Sequence, residues 1–205
     1  MASRAGDRKV GAVVLAAGGS SRMGGRNKLL ERIDGVPVVA HVVQVALDAG
    51  SDPVVVVTGH QAREVREALR DNRVELASNA RWREGMSTSL AAGLDVLEGV
   101  VDGALICLGD MPRVTVDDLR ALMLAFRGAA DSAPAYVPVH DGRQGNPVLW
   151  RSDWFSELRA LSGDRGAKAV LRGLGERIVR IPASAGVLVD ADTPDALERL
   201  RGGER

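Results

Sequence analysis

Apolar runs rich in β-branched residues alternate, over the first half of the chain, with segments whose apolar positions recur at helical spacing. Val10–Ala16, Pro53–Thr58 and Ala104–Gly109 are almost unbroken stretches of Val, Leu, Ile and Ala. Such continuity is the pattern of strands covered on both faces, not on one. Between them, Val38–Ala49, Gln61–Arg70 and Ser87–Glu98 read as helices, with Pro37 suited to a first helical turn and Gly50 to a C-terminal stop. Strand, helix and strand in alternation predict an α/β fold, a three-layer sandwich around a mostly parallel sheet.

Beyond Met111 the pattern loosens. Thr115 and Asp118 have the spacing of a capping box ahead of a helix at Leu119–Arg127. Tyr136–His140 and Asn146–Trp150 read as short strands joined by the hairpin-like turn DGRQG. Two helical stretches follow, then strands near Ile178–Ile181 and Gly186–Val189, and Thr193-Pro194 opens a last helix to Arg201. No repeat and no long linker interrupts the 205 residues, so residues 1–205 are expected to form one domain with fraying tips at 1–8 and 202–205.

Composition narrows the function classes. Lys+Arg and Asp+Glu both number 27, so there is no basic excess of the kind that marks a nucleic-acid binder. Aromatics make up 3% of the chain, which leaves Val, Leu and Ala to fill the interior. The polar start MASRAGDRK lacks a signal-peptide core, and no run approaches the ~18 apolar residues that span a bilayer. A single cysteine, Cys107, lies in the apolar run ALICL and reads as a core side chain; one cysteine allows no internal disulfide. A cytoplasmic protein is expected, without a membrane or nucleic-acid partner. Trp82 and Trp154 read as packing residues, His41 lies in a helix on a mixed face, and His60 lies near the expected rim of the sheet.

The chemistry is concentrated in Leu15–Leu30, LAAGGSSRMGGRNKLL, where an apolar strand breaks into glycines and serines and then delivers Arg22 and Lys28. Glycine lets backbone N–H groups approach a ligand, and exposed N–H groups beside two cations make a nest for an anion such as phosphate. Two familiar phosphate loops do not fit. A Walker-type loop needs lysine and a hydroxyl directly after its closing glycine, but Gly24 is followed by Gly25 and Arg26. The dinucleotide pattern G-x-G-x-x-G is missing, because Gly18 and Gly19 are adjacent and Gly24 comes late.

In an open parallel sheet, ligands bind beyond the carboxyl ends of the strands. Three loaded segments fall there: the glycine loop, Gly109-Asp110-Met111-Pro112, and Asp190-Ala191-Asp192. Carboxylates are hard ligands suited to Mg²⁺, which takes one or two of them and completes its shell with phosphates and water. Asp110 is therefore a candidate metal ligand, although aspartate before Met-Pro also serves as a plain turn residue. Asp190 and Asp192, two apart in an extended stretch, share a face, so either could complete the site; Asp192 or Thr193 could equally cap the last helix.

These residues, in this order, resemble the molybdenum cofactor cytidylyltransferases, within the molybdopterin nucleotidyltransferases and the wider Rossmann-like nucleotidyltransferases. LAAGGSSRMGGRNKLL and LGDMP occur broadly in that superfamily; VVVTGHQA, NARWREGMSTSLAAGL, GNPVLW, GDRGAKAVL and VDADTPDAL extend the likeness along nearly the whole chain. The resemblance implies a nucleotide-diphospho-sugar-transferase-like fold. It also implies transfer of CMP from CTP to the terminal phosphate of Mo-molybdopterin, with Mg²⁺ (or Mn²⁺) as cofactor and handover of the product to a molybdoenzyme chaperone or apo-enzyme. LAAGG in place of LAGG resembles the CTP-using branch of the group and not its GTP-using relatives. Base and ribose would then lie against Leu15, Ala16, Ala17, Gly18 and Ser89. The triphosphate would lie on Gly19, Ser20, Ser21, Arg22 and Gly24 with Lys28, and the metal on Asp110 with Asp190 or Asp192. Asn146 stands where many relatives have histidine and Lys168 where arginine is usual, both in the region expected to meet the acceptor. Competing readings are a guanylyltransferase or another cytidylyltransferase acting on a sugar or polyol phosphate, a non-catalytic nucleotide sensor, and a dinucleotide-dependent oxidoreductase.

Overall fold

The computed structural model describes residues 7–19, 26–129, 133–163 and 167–202. At its centre β1 (Val10–Ala16) pairs in parallel with β4 (Val54–Thr58) on one side and β6 (Gly103–Leu108) on the other, with Val14 level with both Val56 and Cys107. The unbroken apolar runs have a direct cause. Val10, Ala12, Val14 and Ala16 join the core beneath α1 (Val38–Asp48), α2 (Ala62–Ala68) and α4 (Val116–Gly128). Val13, with Ala17 just past the strand, joins the opposite core beneath α3 (Met86–Leu97), α5 (Phe155–Arg159) and α6 (Lys168–Leu174). Both faces are covered, so neither can be polar, and the three layers follow.

The main sheet runs β10 (Val179–Pro182), β7 (Ala135–His140), β9 (Val148–Arg151), β6, β1, β4 and β5 (Glu75–Ser78) in that order. Its second half departs from parallel pairing where the strand–helix alternation of the sequence loosens. β9 (Val148–Arg151) lies antiparallel between β6 and β7 (Ala135–His140), while β10 (Val179–Pro182) returns parallel to β7. The two strands expected there, β7 and β9, do pair antiparallel, but the expected turn between them holds a strand of its own: β7 turns through Asp141 and Gly142, both at positive φ (47° and 74°), into β8 (Arg143–Gln144). A small separate hairpin, β2 (Arg32–Ile33) with β3 (Val36–Pro37), packs Ile33 against α7 (Pro194–Arg201).

Three expectations are corrected. Glu75–Ser78 forms an edge strand, β5, that periodicity did not reveal, because only Ala77 of its four residues is buried. Gly186–Val189 is not a strand; Ala185–Leu188 coils as a 3₁₀ helix. The Ser184 hydroxyl accepts the Gly186 N–H at 3.2 Å, and a side chain at Gly186 would meet the Arg113 carbonyl. A serine cap and a missing Cβ together tighten the chain there. Arg8, placed in a fraying tip, is held: its guanidinium donates to the Phe126 carbonyl at 2.6 Å and lies over the Phe126 ring.

Gly93 sets how closely α3 approaches the sheet. A Cβ there would stand 2.3 Å from Val13 Cγ1. Alanine is the better helix former by about 1 kcal/mol, yet Gly93→Ala is expected to lower stability by about 1–3 kcal/mol, because the clash forces helix and sheet apart. Urea unfolding of the variant checks this.

Candidate active site

The site assembles where the segment after β6 meets two others; of the three segments expected at strand ends, Asp190–Asp192 instead follows the 3₁₀ helix Ala185–Leu188. Gly109 follows β6 and donates its N–H to the Leu15 carbonyl at 3.1 Å; a Cβ at Gly109 would lie 2.8 Å from that oxygen, so glycine permits the approach. Asp110 follows, and its carbonyl accepts the Ala191 N–H at 2.9 Å, which ties the Asp190–Asp192 segment to the end of β6. On the third side, Asn27 caps a 3₁₀ turn at Lys28–Leu30, its Oδ1 accepting the Leu29 N–H at 3.1 Å. Buried Leu29 anchors that turn in the core beside α1, and Lys28 is directed toward the carboxylates.

Lys28 Nζ contacts Asp110 Oδ2 and Asp192 Oδ1 together. Burial pulls the Lys28 ammonium toward neutrality, but the Asp110 carboxylate and then Asp192 outweigh it and hold its pKa above the ordinary lysine value. Of the two aspartates that the sequence left open, Asp192 is the one against Lys28. Asp190 bends into its own turn, where its carboxylate accepts the Asp192 N–H; burial first, then the like charges of Asp192 and Asp110, raise its pKa. No group of three His, Cys, Asp or Glu side chains able to hold a metal gathers among the described residues. Asp110 and Asp192 therefore offer a two-carboxylate donor set, the number magnesium takes when phosphate oxygens supply the rest. The donor chemistry fits a divalent ion carried with a triphosphate.

Beside this cluster opens a cleft of about 690 Å³ lined by Leu15, Ala17, Gly18, Lys28, Met86, Ser89 and Asp110. It adjoins a second lobe of about 720 Å³ that includes Asn146, Trp150, Lys168 and Leu171, with Leu15, Met86 and Leu108 bordering both. The two positions that depart from the resemblance, Asn146 and Lys168, thus fall in one lobe. Ala16 does not line the cleft with its side chain, which is packed into the core on the α1 side. Ser20, Ser21, Arg22 and Gly24 lie outside the described residues. Cys107 is buried and its thiol is pushed up to about 12 by burial, as a core residue and not a nucleophile. Trp82 packs over Gly59 and Gly19, against His60 at 5.2 Å between ring centroids, and so braces the chain where it leaves β1.

Asn79 was not singled out from the sequence. It stands just after β5, is buried, and donates to the hydroxyls of Thr88 and Ser89. Nothing in local periodicity marks it, since the strand before it is itself short and mostly exposed.

A doubly covered, mostly parallel sheet with a lysine and two carboxylates at its carboxyl edge defines a nucleotide-handling α/β enzyme, of the nucleotide-diphospho-sugar-transferase-like fold. Residues 12–179 match the MobA-like NTP transferase domain, and the chain belongs to this nucleotidyltransferase family. It is 32% identical over 202 residues to the purine catabolism protein PucB of Bacillus subtilis, covering 92% of this chain and 94% of that protein. It spans about a third of the length of the bifunctional GlmU of Geobacter sulfurreducens, which it also matches. Among solved structures, a nucleotidyl transferase from Methanothermobacter superposes with a TM-score of 0.81 at 30% identity, over 96% of this chain and 97% of that one. Rv0371c of Mycobacterium tuberculosis in complex with manganese superposes with a TM-score of 0.81 at 25% identity, over 95% and 99%. No helix among the described residues is long and apolar enough to cross a membrane.

Proposed function

We propose that the chain transfers CMP from CTP to the terminal phosphate of Mo-molybdopterin, giving molybdopterin cytosine dinucleotide and pyrophosphate. The observation that carries this reading is the meeting of Lys28, Asp110 and Asp192 at the edge of a two-lobed cleft, which leaves one lobe for a nucleotide and another for an acceptor. The LAAGG loop supports the choice of CTP; the likeness of the family blocks along the chain supports a pterin acceptor, while Asn146 and Lys168 depart from that family's pattern where the acceptor is expected.

An oxygen of the acceptor phosphate forms a bond to the α-phosphorus, and the bond from that phosphorus to the bridging oxygen of the β-phosphate breaks. That oxygen leaves with pyrophosphate. The acceptor is already ionised, so no side chain must act as nucleophile. Lys28 and Arg22 supply positive charge to the triphosphate, and Ser89 with Gly18 and Ala17 holds the nucleoside. Asp110 and Asp192 would hold Mg²⁺ or Mn²⁺, which when bound neutralises the charge gathering on the pyrophosphate; the manganese complex of Rv0371c supports such an ion. We further propose that the reaction is cytoplasmic and that the product passes to a molybdoenzyme chaperone or apo-enzyme.

Pyrophosphate release tests the reading. CTP with Mg²⁺ and Mo-molybdopterin is expected to turn over, at least tenfold faster than GTP and only with metal. Turnover with a sugar or polyol phosphate but not with molybdopterin would replace this acceptor; a GTP preference would replace this base.

A further inference from the structure

Asn79 has every polar atom of its side chain committed, and the commitments have a direction. Its Oδ1 accepts the Arg81 N–H at 2.9 Å, which settles which end of the amide is oxygen. The opposite end carries two hydrogens and meets two hydroxyls, Thr88 Oγ1 at 2.8 Å and Ser89 Oγ at 2.9 Å. An amide nitrogen only donates, so both hydroxyl oxygens must accept from it. Thr88 hands its own hydrogen to main-chain carbonyls, those of Gly85 at 2.9 Å and Arg81 at 3.1 Å. Ser89 has no such outlet among the described residues. Its oxygen accepts from Asn79, it is buried, and it lines the nucleotide lobe beside Gly18 and Met86. Its O–H must point away from the Asn79 amide and has no acceptor among the described residues, so a ligand acceptor is needed to satisfy it.

We propose that Asn79 is a specificity-determining positioning residue: by donating to Ser89 it turns that hydroxyl's hydrogen away from itself and leaves it to donate toward the cleft, selecting a nucleobase that presents an acceptor there. The N3–O2 edge of cytosine offers two acceptors; the N1–H and N2-amino edge of guanine would set donor against donor. This deepens the nucleotide reading of the site and rests on it, but it does not depend on which acceptor takes the nucleotidyl group.

The test uses nucleotide binding alone, with Mg²⁺ and no acceptor, so a wrong acceptor leaves it unaffected. Asn79→Asp keeps the shape and the contact to the Arg81 N–H but can only accept from Ser89, which turns a lone pair toward the base. CTP affinity relative to GTP is expected to fall about tenfold, whereas a purely structural defect would weaken both nucleotides alike. In a Ser89→Ala background the same substitution is expected to leave the ratio unchanged. An unaltered ratio in folded Asn79→Asp, or the same shift without Ser89, overturns the proposal. Should Asn79→Asp fail to fold, Ser89→Ala decides it with CTP, 3-deaza-CTP and 2-thio-CTP as probes. Loss of about tenfold discrimination against at least one analogue supports the donor role, and undiminished discrimination against both removes it.

Discussion

Lys28→Met lowers turnover by about a hundredfold to a thousandfold, with the fold retained. The side chain lies between Asp110 and Asp192, and all three remain partly reachable by solvent. Removing the ammonium therefore leaves two carboxylates that can hydrate or take a divalent ion, not a buried unpaired charge. The 3₁₀ turn that carries residue 28 is held by Asn27 and Leu29, so a methionine there keeps the backbone in place. Lys28→Arg is expected to rescue little, because a planar fork does not place a point charge between two aspartates. Asp110→Ala should fall in the same range, since the link to Ala191 runs through the Asp110 main-chain carbonyl and survives the change. Pyrophosphate release measured alongside thermal unfolding checks both variants. Near-normal turnover in a folded Lys28→Met protein would remove Lys28 from the chemistry.

The parts of this molecule that sequence makes legible are those where one local rule acts alone. Val10–Ala16 had to be a strand buried on both sides, because its alternate residues feed two separate cores. Thr115 and Asp118 had to cap a helix, and they form the reciprocal pair that their spacing predicts. Lys28, Asp110 and Asp192 were legible as chemistry because each is a charged residue that follows an apolar run, although only Asp110 follows directly on a strand end. What stayed hidden depends on tertiary contact. β5 exists because β4 offers an open edge, not because Glu75-Leu76-Ala77-Ser78 favours extension strongly. The 3₁₀ turn at Ala185–Leu188 is imposed by the close approach of Gly186 to Arg113. The choice of Asp192 over Asp190 follows from a turn in which Asp190 accepts its neighbour's N–H, and the role of Asn79 from a helix brought to it across the sheet edge.

Asp118→Ala tests how the third segment of the site is held. Asp118 opens α4, yet its carboxylate also reaches the loop that leads to Asp190–Asp192. It accepts the Thr115 N–H and hydroxyl at 2.9 and 2.8 Å, and the Ser184 N–H and hydroxyl at 2.8 and 2.7 Å. Burial alone would raise the pKa of this carboxyl, but the Ser184 and Thr115 donors outweigh that and hold it below the usual aspartate value of 3.8. A depressed folded-state pKa means stability that is fully present above the unfolded value and drains away as pH falls through the folded one. At neutral pH the alanine variant is expected to lose about 3 kcal/mol, because two main-chain N–H groups lose a charged acceptor and the helix keeps only the Thr115 half of its capping box. The gap between variant and parent should narrow in urea titrations as pH falls below the ordinary value of 3.8 and through the depressed folded-state one, where the parent's carboxyl takes up its proton. A gap that is constant across the acid range would mean that shape, not charge, holds Ser184. The same loss should reach the site, since Ser184 caps the 3₁₀ turn that delivers Asp192 to Lys28. Turnover is therefore expected to fall about tenfold at a temperature where the variant remains folded, and unchanged turnover would assign the placing of Asp192 to the Ala191–Asp110 main-chain bond alone.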